Sequence, residues 1–241
     1  MEEETAAVNS DLYFRQILVG EMANFAYLVG SRSTREALVV DPAWNVDALV
    51  DQASEDGLEV VGALVTHYHQ DHIGGSLFGM EIQGLTQLKE RIPSAAIHVN
   101  KHEAAGVAQV AGLAASELTA HDGGDVVSLG GINIRLLHTP GHTPGSQCFL
   151  VDESGQPGQL VSGDTLFLGS CGRVDLPGSD PEQMYQSLTG TLKKLPDETN
   201  LFPGHLYSEE GHSTLGEQKQ NNPFLRVSSL DDFLMFMGVG G

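Results

Sequence analysis

The stretch Thr66-His67-Tyr68-His69-Gln70-Asp71-His72 packs three imidazoles and a carboxylate into six consecutive positions, directly after the apolar run Val60 to Val65. Imidazole suits zinc and iron, and a carboxylate adds a hard anionic ligand that divalent metals also accept. A lone histidine is more often a loop or core residue than a ligand; a cluster this dense, at the end of a strand, points to a metal site. Three later positions can complete it: His142 in Thr139-Pro140-Gly141-His142-Thr143-Pro144-Gly145, Asp164 in Ser162-Gly163-Asp164-Thr165, and His205 in Phe202-Pro203-Gly204-His205. Each follows a predicted strand and sits beside glycine. That context places short loops at a sheet edge, where backbone approaches closely and side chains converge. His98, His102, His121, His138 and His212 lack such a context and read as surface or core residues.

The elements that must position these residues follow from periodicity. Leu12 to Val19, Phe25 to Val29 and Ala37 to Val40 read as strands, the last ended by Asp41-Pro42. Val46, Leu49, Val50 and Ala53 recur at helical spacing, with Gly57 as the stop, and Val60 to Val65 is the strand that delivers the cluster. Beyond Gly74-Gly75, a helix over Leu85 to Arg91 and a strand over Ile97 to Val99 follow. Ser76 to Gln83, moderately apolar with one internal glycine, has no periodicity that assigns it: it reads as core packing or as a flap over the site. Glu103 to Ala115 predicts a helix interrupted by Gly106 and Gly112, and Asp122-Gly123-Gly124-Asp125 a turn.

In the second half, Val126 to Leu129, Ile132 to Leu137, Cys148 to Val151, Leu160-Val161 and Asn200 to Phe202 read as strands. Pro181 to Leu195 is the best helix, with Asp180 as N-cap and Met184, Leu188, Leu192 and Leu195 as its apolar stripe; a C-terminal helix spans about Leu230 to Met237. Strands outnumber helices in both halves, which predicts an α/β protein of two packed sheets with helices outside. No linker or low-complexity stretch divides the chain, so residues 11–241 read as a single domain behind a flexible tail of residues 1–10.

Composition narrows the partners. Twelve lysines and arginines against 32 aspartates and glutamates give a net charge near −20, which repels nucleic acid and anionic membranes. An anionic substrate must then find a local positive site, and a bound divalent ion is one. Two cysteines give no disulfide framework, and Cys148 falls in a buried strand. Met1-Glu2-Glu3-Glu4 lacks the basic start of a signal peptide, and no run reaches the roughly 20 apolar residues of a membrane span. The expectation is a soluble, cytoplasmic protein acting on a small molecule, with no nucleic-acid or membrane partner and an oligomeric state the sequence leaves open.

The four motifs, taken in order, resemble those of the metallo-β-lactamase superfamily over nearly the whole chain, from about Leu12 to Arg226. The resemblance implies an αββα sandwich with two mixed sheets and a dinuclear metal site at their edge. By motif, His67, His69 and His142 would hold one ion, Asp71, His72 and His205 the other, and Asp164 would bridge them, with Asp71 and Asp164 carrying the catalytic role. The chemistry of the residues agrees: five imidazoles and two carboxylates can hold two divalent ions about 3.5–4 Å apart, with a hydroxide between them to attack an acyl carbonyl. Zinc is the first expectation, with iron and manganese as alternatives.

A bridging aspartate resembles the thioesterase and lactonase branches rather than the β-lactamases, and the chain is too short for the inserted domain of the nuclease branches. The segment Gly169 to Asp180, together with Ser213-Thr214-Leu215-Gly216-Glu217 and Asn222-Pro223-Phe224-Leu225-Arg226, resembles short bacterial glyoxalase II-like hydrolases, which cleave the thioester S-D-lactoylglutathione. That implies substrate-binding roles for Arg173, Tyr207 and Arg226, with Asp175 standing where a tyrosine is usual; Arg173 reads equally well as a salt bridge to Asp175. Gly172-Arg173-x-Asp175 also resembles persulfide dioxygenases, which use one iron and glutathione persulfide. A lactonase or broad esterase, and a non-catalytic metal-binding module, are the remaining readings.

Overall fold

The computed structural model describes residues 10–239. All but the last residue of the expected N-terminal tail lie outside the described residues; Ser10 is described, and its hydroxyl donates to Glu153 Oε2 at 2.6 Å. Strands β1 (Leu12–Val19), β2 (Asn24–Ser31) and β3 (Glu36–Val40) form an antiparallel meander, and helix α1 (Val46–Glu55) crosses to β4 (Glu59–Leu64), parallel to β3. Helix α2 (Gln70–Ile73), hairpin β5 (Gly75–Leu77) and β6 (Met80–Ile82), and α3 (Leu85–Arg91) lead to β7 (Ala96–Asn100). Helix α4 (Ala104–Ala111) then returns the chain to β8 (Leu118–His121). The first sheet is six-stranded and mixed, in the order β1-β2-β3-β4-β7-β8.

The second sheet collects β9 (Val126–Leu129), β10 (Ile132–His138), β11 (Gln147–Asp152) and β12 (Gln159–Gly163) as an antiparallel series. After the small ribbon β13 (Leu166–Phe167) and β14 (Ser170–Cys171) and helix α5 (Pro181–Gln186), β15 (Asn200–Pro203) pairs parallel to β12. With β16 (Ser213–Thr214) the order is β16-β15-β12-β11-β10-β9. Helices α6 (Leu215–Asn221), α7 (Pro223–Arg226) and α8 (Leu230–Phe236) end the described chain, and no described helix is long and apolar enough to cross a membrane.

Three apolar layers explain the sandwich. Tyr27, Val29, Leu38, Val40 and Leu64 of the first sheet meet Ile134, Leu136, Phe149, Val151 and Val161 of the second. The alternate residues Ala26, Leu28, Val39 and Ala63 face the other way and pack against Leu49, Leu85, Leu88 and Val107 of α1, α3 and α4. Cys148, Leu150 and Leu160 likewise face Met184, Leu188, Leu215 and Phe233. Strand β2 is buried on both faces, as a sheet covered on both sides requires. The fold is therefore the expected αββα sandwich.

Three differences from the sequence expectation have local causes. Helix α4 is shorter than Glu103 to Ala115 because Gly112 turns into the left-handed region at φ +67° and caps it. The helix from Pro181 passes into a π turn over Ser187–Thr191 and a 3₁₀ turn over Leu192–Lys194. Met184, Leu188 and Leu192 are spaced by four, which overshoots each α turn by about 40°; the wider π turn keeps all three buried. Ser76 to Gln83 contains a hairpin that packs Ile82 into the core but leaves Phe78 and Met80 outside: Phe78 and Gly79 both have positive φ, the geometry of a two-residue turn, and Phe78 at its tip is 89 % exposed.

Candidate metal centre

The seven sequence-predicted donors lie beyond the C-terminal ends of strands at one edge of the sandwich. His67 to His72 follow β4, His142 lies in the loop between β10 and β11, Asp164 follows β12, and His205 follows β15. The two sheets are riveted here. Gln147 N and Nε2 donate to Thr66 O and Val65 O at 3.0 and 2.8 Å, Phe25 N donates to Gly204 O at 2.8 Å, and Tyr27 Oη donates to Pro203 O. Gly204 is required by this closeness, since a Cβ there would stand 2.4 Å from Asp164 Oδ1.

The donors fall into two groups whose ligating atoms each lie within 4.8 Å of one another: His67, His69 and His142, and Asp71, His72 and His205. Asp164 spans them. Its Oδ1 is 3.3 Å from His72 Nε2, and its Oδ2 is 3.5 Å from His205 Nε2 and 3.6 Å from His142 Nε2. Asp41, His67 and His72 make a third close set, yet both Asp41 oxygens are already engaged. Oδ1 accepts from Thr66 N at 2.8 Å, and Oδ2 accepts from Thr66 Oγ1 at 2.6 Å and from His72 Nδ1 at 3.0 Å. Asp41 is thus a supporting carboxylate behind the histidine, an arrangement common around metal-ligating imidazoles.

Hydrogen bonding assigns the free nitrogens. His72 Nδ1–H donates to Asp41, His205 Nδ1–H to Met22 O at 3.0 Å, and His142 Nδ1–H to Arg173 O at 2.9 Å. The Thr66 hydroxyl, whose proton goes to Asp41, accepts from His67 Nδ1–H at 2.9 Å. Four imidazoles therefore turn their Nε2 atoms inward, and His69 turns in its Nδ1. His72 Nε2 and His205 Nε2 stand 3.2 Å apart, and His142 Nε2 and His69 Nδ1 3.1 Å apart. Nitrogens facing at that distance share either a proton or a metal ion, and two nitrogens on one tetrahedral zinc are separated by roughly 3.3 Å. Two buried polar atoms among the described residues lack any hydrogen-bond partner, His67 Nε2 and Asp164 Oδ1, and both belong to this donor set. The residues present fit divalent metal.

Electrostatics separates the groups. Burial, then the neighbouring imidazoles, holds His67 well below the usual histidine range and His69 at about 4. Burial also disfavours charge on His72 and His205, but the surrounding carboxylates outweigh it: Asp71, Asp164 and Asp41 lift His72 to about 9, and Asp164 and Asp71 lift His205 to about 10. Asp71 and Asp164 are buried as well; the adjacent imidazoles overcome burial and hold Asp71 below the carboxylate range and Asp164 at about 2.

The predicted substrate residues disperse. Tyr207 stacks on the His205 ring, 4.6 Å between centroids at 10°, with Phe167 edge-on at 5.1 Å. The Arg173 guanidinium is paired bidentately with Asp175 at 2.9 and 2.8 Å, so its connection to the donors is its carbonyl, which orients His142. Arg226 borders a separate cavity of about 410 Å³ beside α7 and α8, which none of the seven donors lines. His98 pairs with His121, His102 stacks on His138, and His212 stacks on Phe202, all outside the two groups.

Sequence reasoning missed Asp41, Thr66, Asn24, Trp44 and Glu103. Glu103 is buried between the loops of the first group. Its Oε1 accepts from Tyr68 N at 2.9 Å and Thr143 Oγ1 at 2.6 Å, and its Oε2 from Gly145 N at 2.7 Å. Asp41 did carry a signal, an acid at a strand end before proline; the other four carried none.

Comparison with known proteins agrees with this geometry. A probable hydroxyacylglutathione hydrolase of Schizosaccharomyces pombe is 31 % identical over 241 aligned residues, covering 87 % of this chain and 85 % of the relative. The crystal structure of ETHE1 from Myxococcus xanthus superimposes with a TM-score of 0.78 at 30 % identity, over 94 % of this chain and 90 % of that one. TTHA1623 in a di-iron-bound form superimposes with a TM-score of 0.67 at 31 % identity, over 88 % of this chain and all of that one. The family model of the metallo-beta-lactamase superfamily matches residues 19–205, from the end of β1 through His205, and the chain belongs to that superfamily of metallo-enzymes.

Proposed function

We propose that the chain is a dinuclear metallo-hydrolase that cleaves an activated acyl bond, with a thioester as its first substrate class. The observation that carries this is the Asp164 carboxylate within 3.6 Å of ligating nitrogens from both groups, which makes one seven-residue centre of two. The S. pombe hydrolase and the di-iron state of TTHA1623 support the reading from outside. Two divalent ions held there would supply a water acidified to a pKa of about 7 and a Lewis acid for the acyl oxygen.

The chain's own residues do the rest. His67, His69 and His142 supply imidazole donors, and Asp71 and Asp164 supply charge that offsets the two cations. Thr66, Asp41, Met22 O and Arg173 O fix the imidazole tautomers. Tyr207 stands at the mouth; partial burial and then the charges of Asp164 and Asp71 push its phenol up to about 12, so it stays a protonated donor at neutral pH. In the net reaction the carbon–sulfur bond breaks, hydroxide adds to the acyl carbon, and carboxylate and thiol leave.

The pairing of Arg173 with Asp175 and the remote position of Arg226 leave a glutathione carboxylate without a free guanidinium among these residues. The acyl part, not the thiol carrier, is therefore the expected determinant. The test is release of free thiol by the metal-replete protein under anaerobic conditions, from S-lactoylglutathione and from an uncharged acyl thioester. Turnover of both supports the reading. No thiol from either, with oxygen uptake on glutathione persulfide, replaces it with a dioxygenase; lactone hydrolysis alone replaces it with a lactonase.

A further inference from the structure

Asn24 and Trp44 lie against the second group and have no part in the chemistry above. The indole Nε1–H can only donate, and it meets two acceptors, Asp71 O at 3.0 Å and Asn24 Oδ1 at 3.1 Å. This fixes the orientation of the Asn24 amide, since its oxygen must face the indole. Its nitrogen then faces the donor set, giving one hydrogen to Asp71 Oδ2 at 2.9 Å and standing 3.4 Å from both His72 Nε2 and His205 Nε2. The polarity runs one way, from indole to amide to carboxylate. Asp71 is held twice, at its carbonyl by the indole and at its carboxylate by the amide.

The local backbone is built around this contact. Asn24 is buried, and its main chain bridges to His205. Trp44 has φ +71°, a conformation bulky residues rarely adopt, and its N–H is tied to Gln83 O at 3.0 Å. Its ring occupies the space over Gly20, where a Cβ would fall 2.1 Å from the indole. Neither side chain hydrogen-bonds to His67, His69 or His142.

We propose that Asn24 and Trp44 are positioning residues for the second ion: a hydrogen-bonded brace that sets the Asp71 carboxylate, and with it the affinity of the Asp71, His72 and His205 group, while leaving the first group untouched. The inference rests on reading that group as holding an ion of its own. Because Trp44 is the chain's single tryptophan, its emission is also a built-in reporter of that group.

The experiment is a zinc titration of the chelator-stripped protein, following bound metal by equilibrium dialysis on wild type, Asn24→Ala and Trp44→Phe, and tryptophan emission on the first two, which keep the fluorophore. Wild type takes two ions, and its emission responds to the second equivalent. Asn24→Ala binds the first as before and the second about 10–100-fold more weakly, the usual cost of losing an outer hydrogen-bond partner of a ligand. Trp44→Phe, which keeps an aromatic ring over Gly20 and loses only the donor, weakens the second ion in the same direction with a little-changed melting temperature. If Asn24→Ala loses both ions together with its melting transition, Trp44→Phe decides. Uptake of one ion by wild type sinks the two-ion reading and the brace with it. Two ions in wild type and equal binding in the variants, or equal weakening of both ions, sinks the brace alone.

Discussion

The two halves of the donor set solve the same problem by opposite means. The first group is three imidazoles, and burial, reinforced by the neighbouring imidazoles, sets the state of His67 and His69, which stay neutral and ready to bind metal without losing a proton. Its loops come from both sheets and are clamped by Glu103, a carboxylate that touches no donor. The second group sits in an anionic field, where Asp71 and Asp164, with Asp41 behind His72, stabilise positive charge on His72 and His205 more than burial opposes it. A proton and a metal ion compete for that field. The first group is therefore organised by geometry and the second by electrostatics.

The largest effect should come from removing what the halves share. Asp164→Ala deletes the carboxylate within reach of both groups, and we expect bound metal to fall below two ions and thiol release to fall to background. Full activity with that variant would break the dinuclear assignment. Next in size are the separate supports. Asp41→Asn keeps the shape but removes the charge behind His72, and should weaken the second ion about 10–100-fold, with a smaller loss at the first ion through Thr66 and His67. Glu103→Gln replaces the clamp's acceptors with an amide that can accept only at one end; it should weaken the first ion on the same scale and leave the second near its wild-type affinity. Metal content at limiting zinc separates the two, and an interchange of their effects would erase the comparison.

Acidity should distinguish the halves more gently. The raised values of His72 and His205 mean that below about pH 9 the empty second group carries protons that metal must displace, so its affinity falls as pH falls, roughly tenfold per unit for each proton displaced. His67 and His69 are unprotonated throughout that range and impose no such slope until pH approaches 4 for His69. A zinc-loaded sample dialysed stepwise from pH 8 to pH 5 should lose one equivalent first. Simultaneous loss of both would mean that the halves are electrostatically alike.

How far the sequence could be read follows the same division. The ligands were legible because His-x-His-x-Asp-His and the glycine-flanked His142, Asp164 and His205 announce themselves by residue type, and the buried strands by alternation and β-branching. The supports were not legible, because an asparagine at a strand start, a tryptophan after alanine or a glutamate before an alanine-rich helix has no local signature. Asn24 and Asp71 are 47 positions apart, and Glu103 and Thr143 are 40 apart; only the folded sheets bring them together. The hairpin at Ser76 to Gln83 was illegible for another reason. Its turn needs positive φ at Phe78, a residue that pattern alone assigns to a core.

The smallest effect tests whether the imidazoles outside the centre are independent of it. His98 on β7 and His121 on β8 lie on the two strands at the β8 edge of the first sheet, 2.9 Å between Nδ1 and Nε2, and burial and then the charge of His121 lower His98 to about 4. In the unfolded chain His98 titrates near 6.5, so the unfolded state binds the extra proton first, and stability present above that value is lost as pH falls toward 4. At pH 5.5 the loss is about 1 kcal/mol, one pH unit below the ordinary value. His98→Gln cannot take up this proton, so its acid limb should be flatter by that amount in denaturant titrations at pH 7 and 5.5. Metal content should not change. A coupled loss of zinc would show that the contact from Val65 N to His98 O, one residue before Thr66, transmits strain from the sheet into the first group.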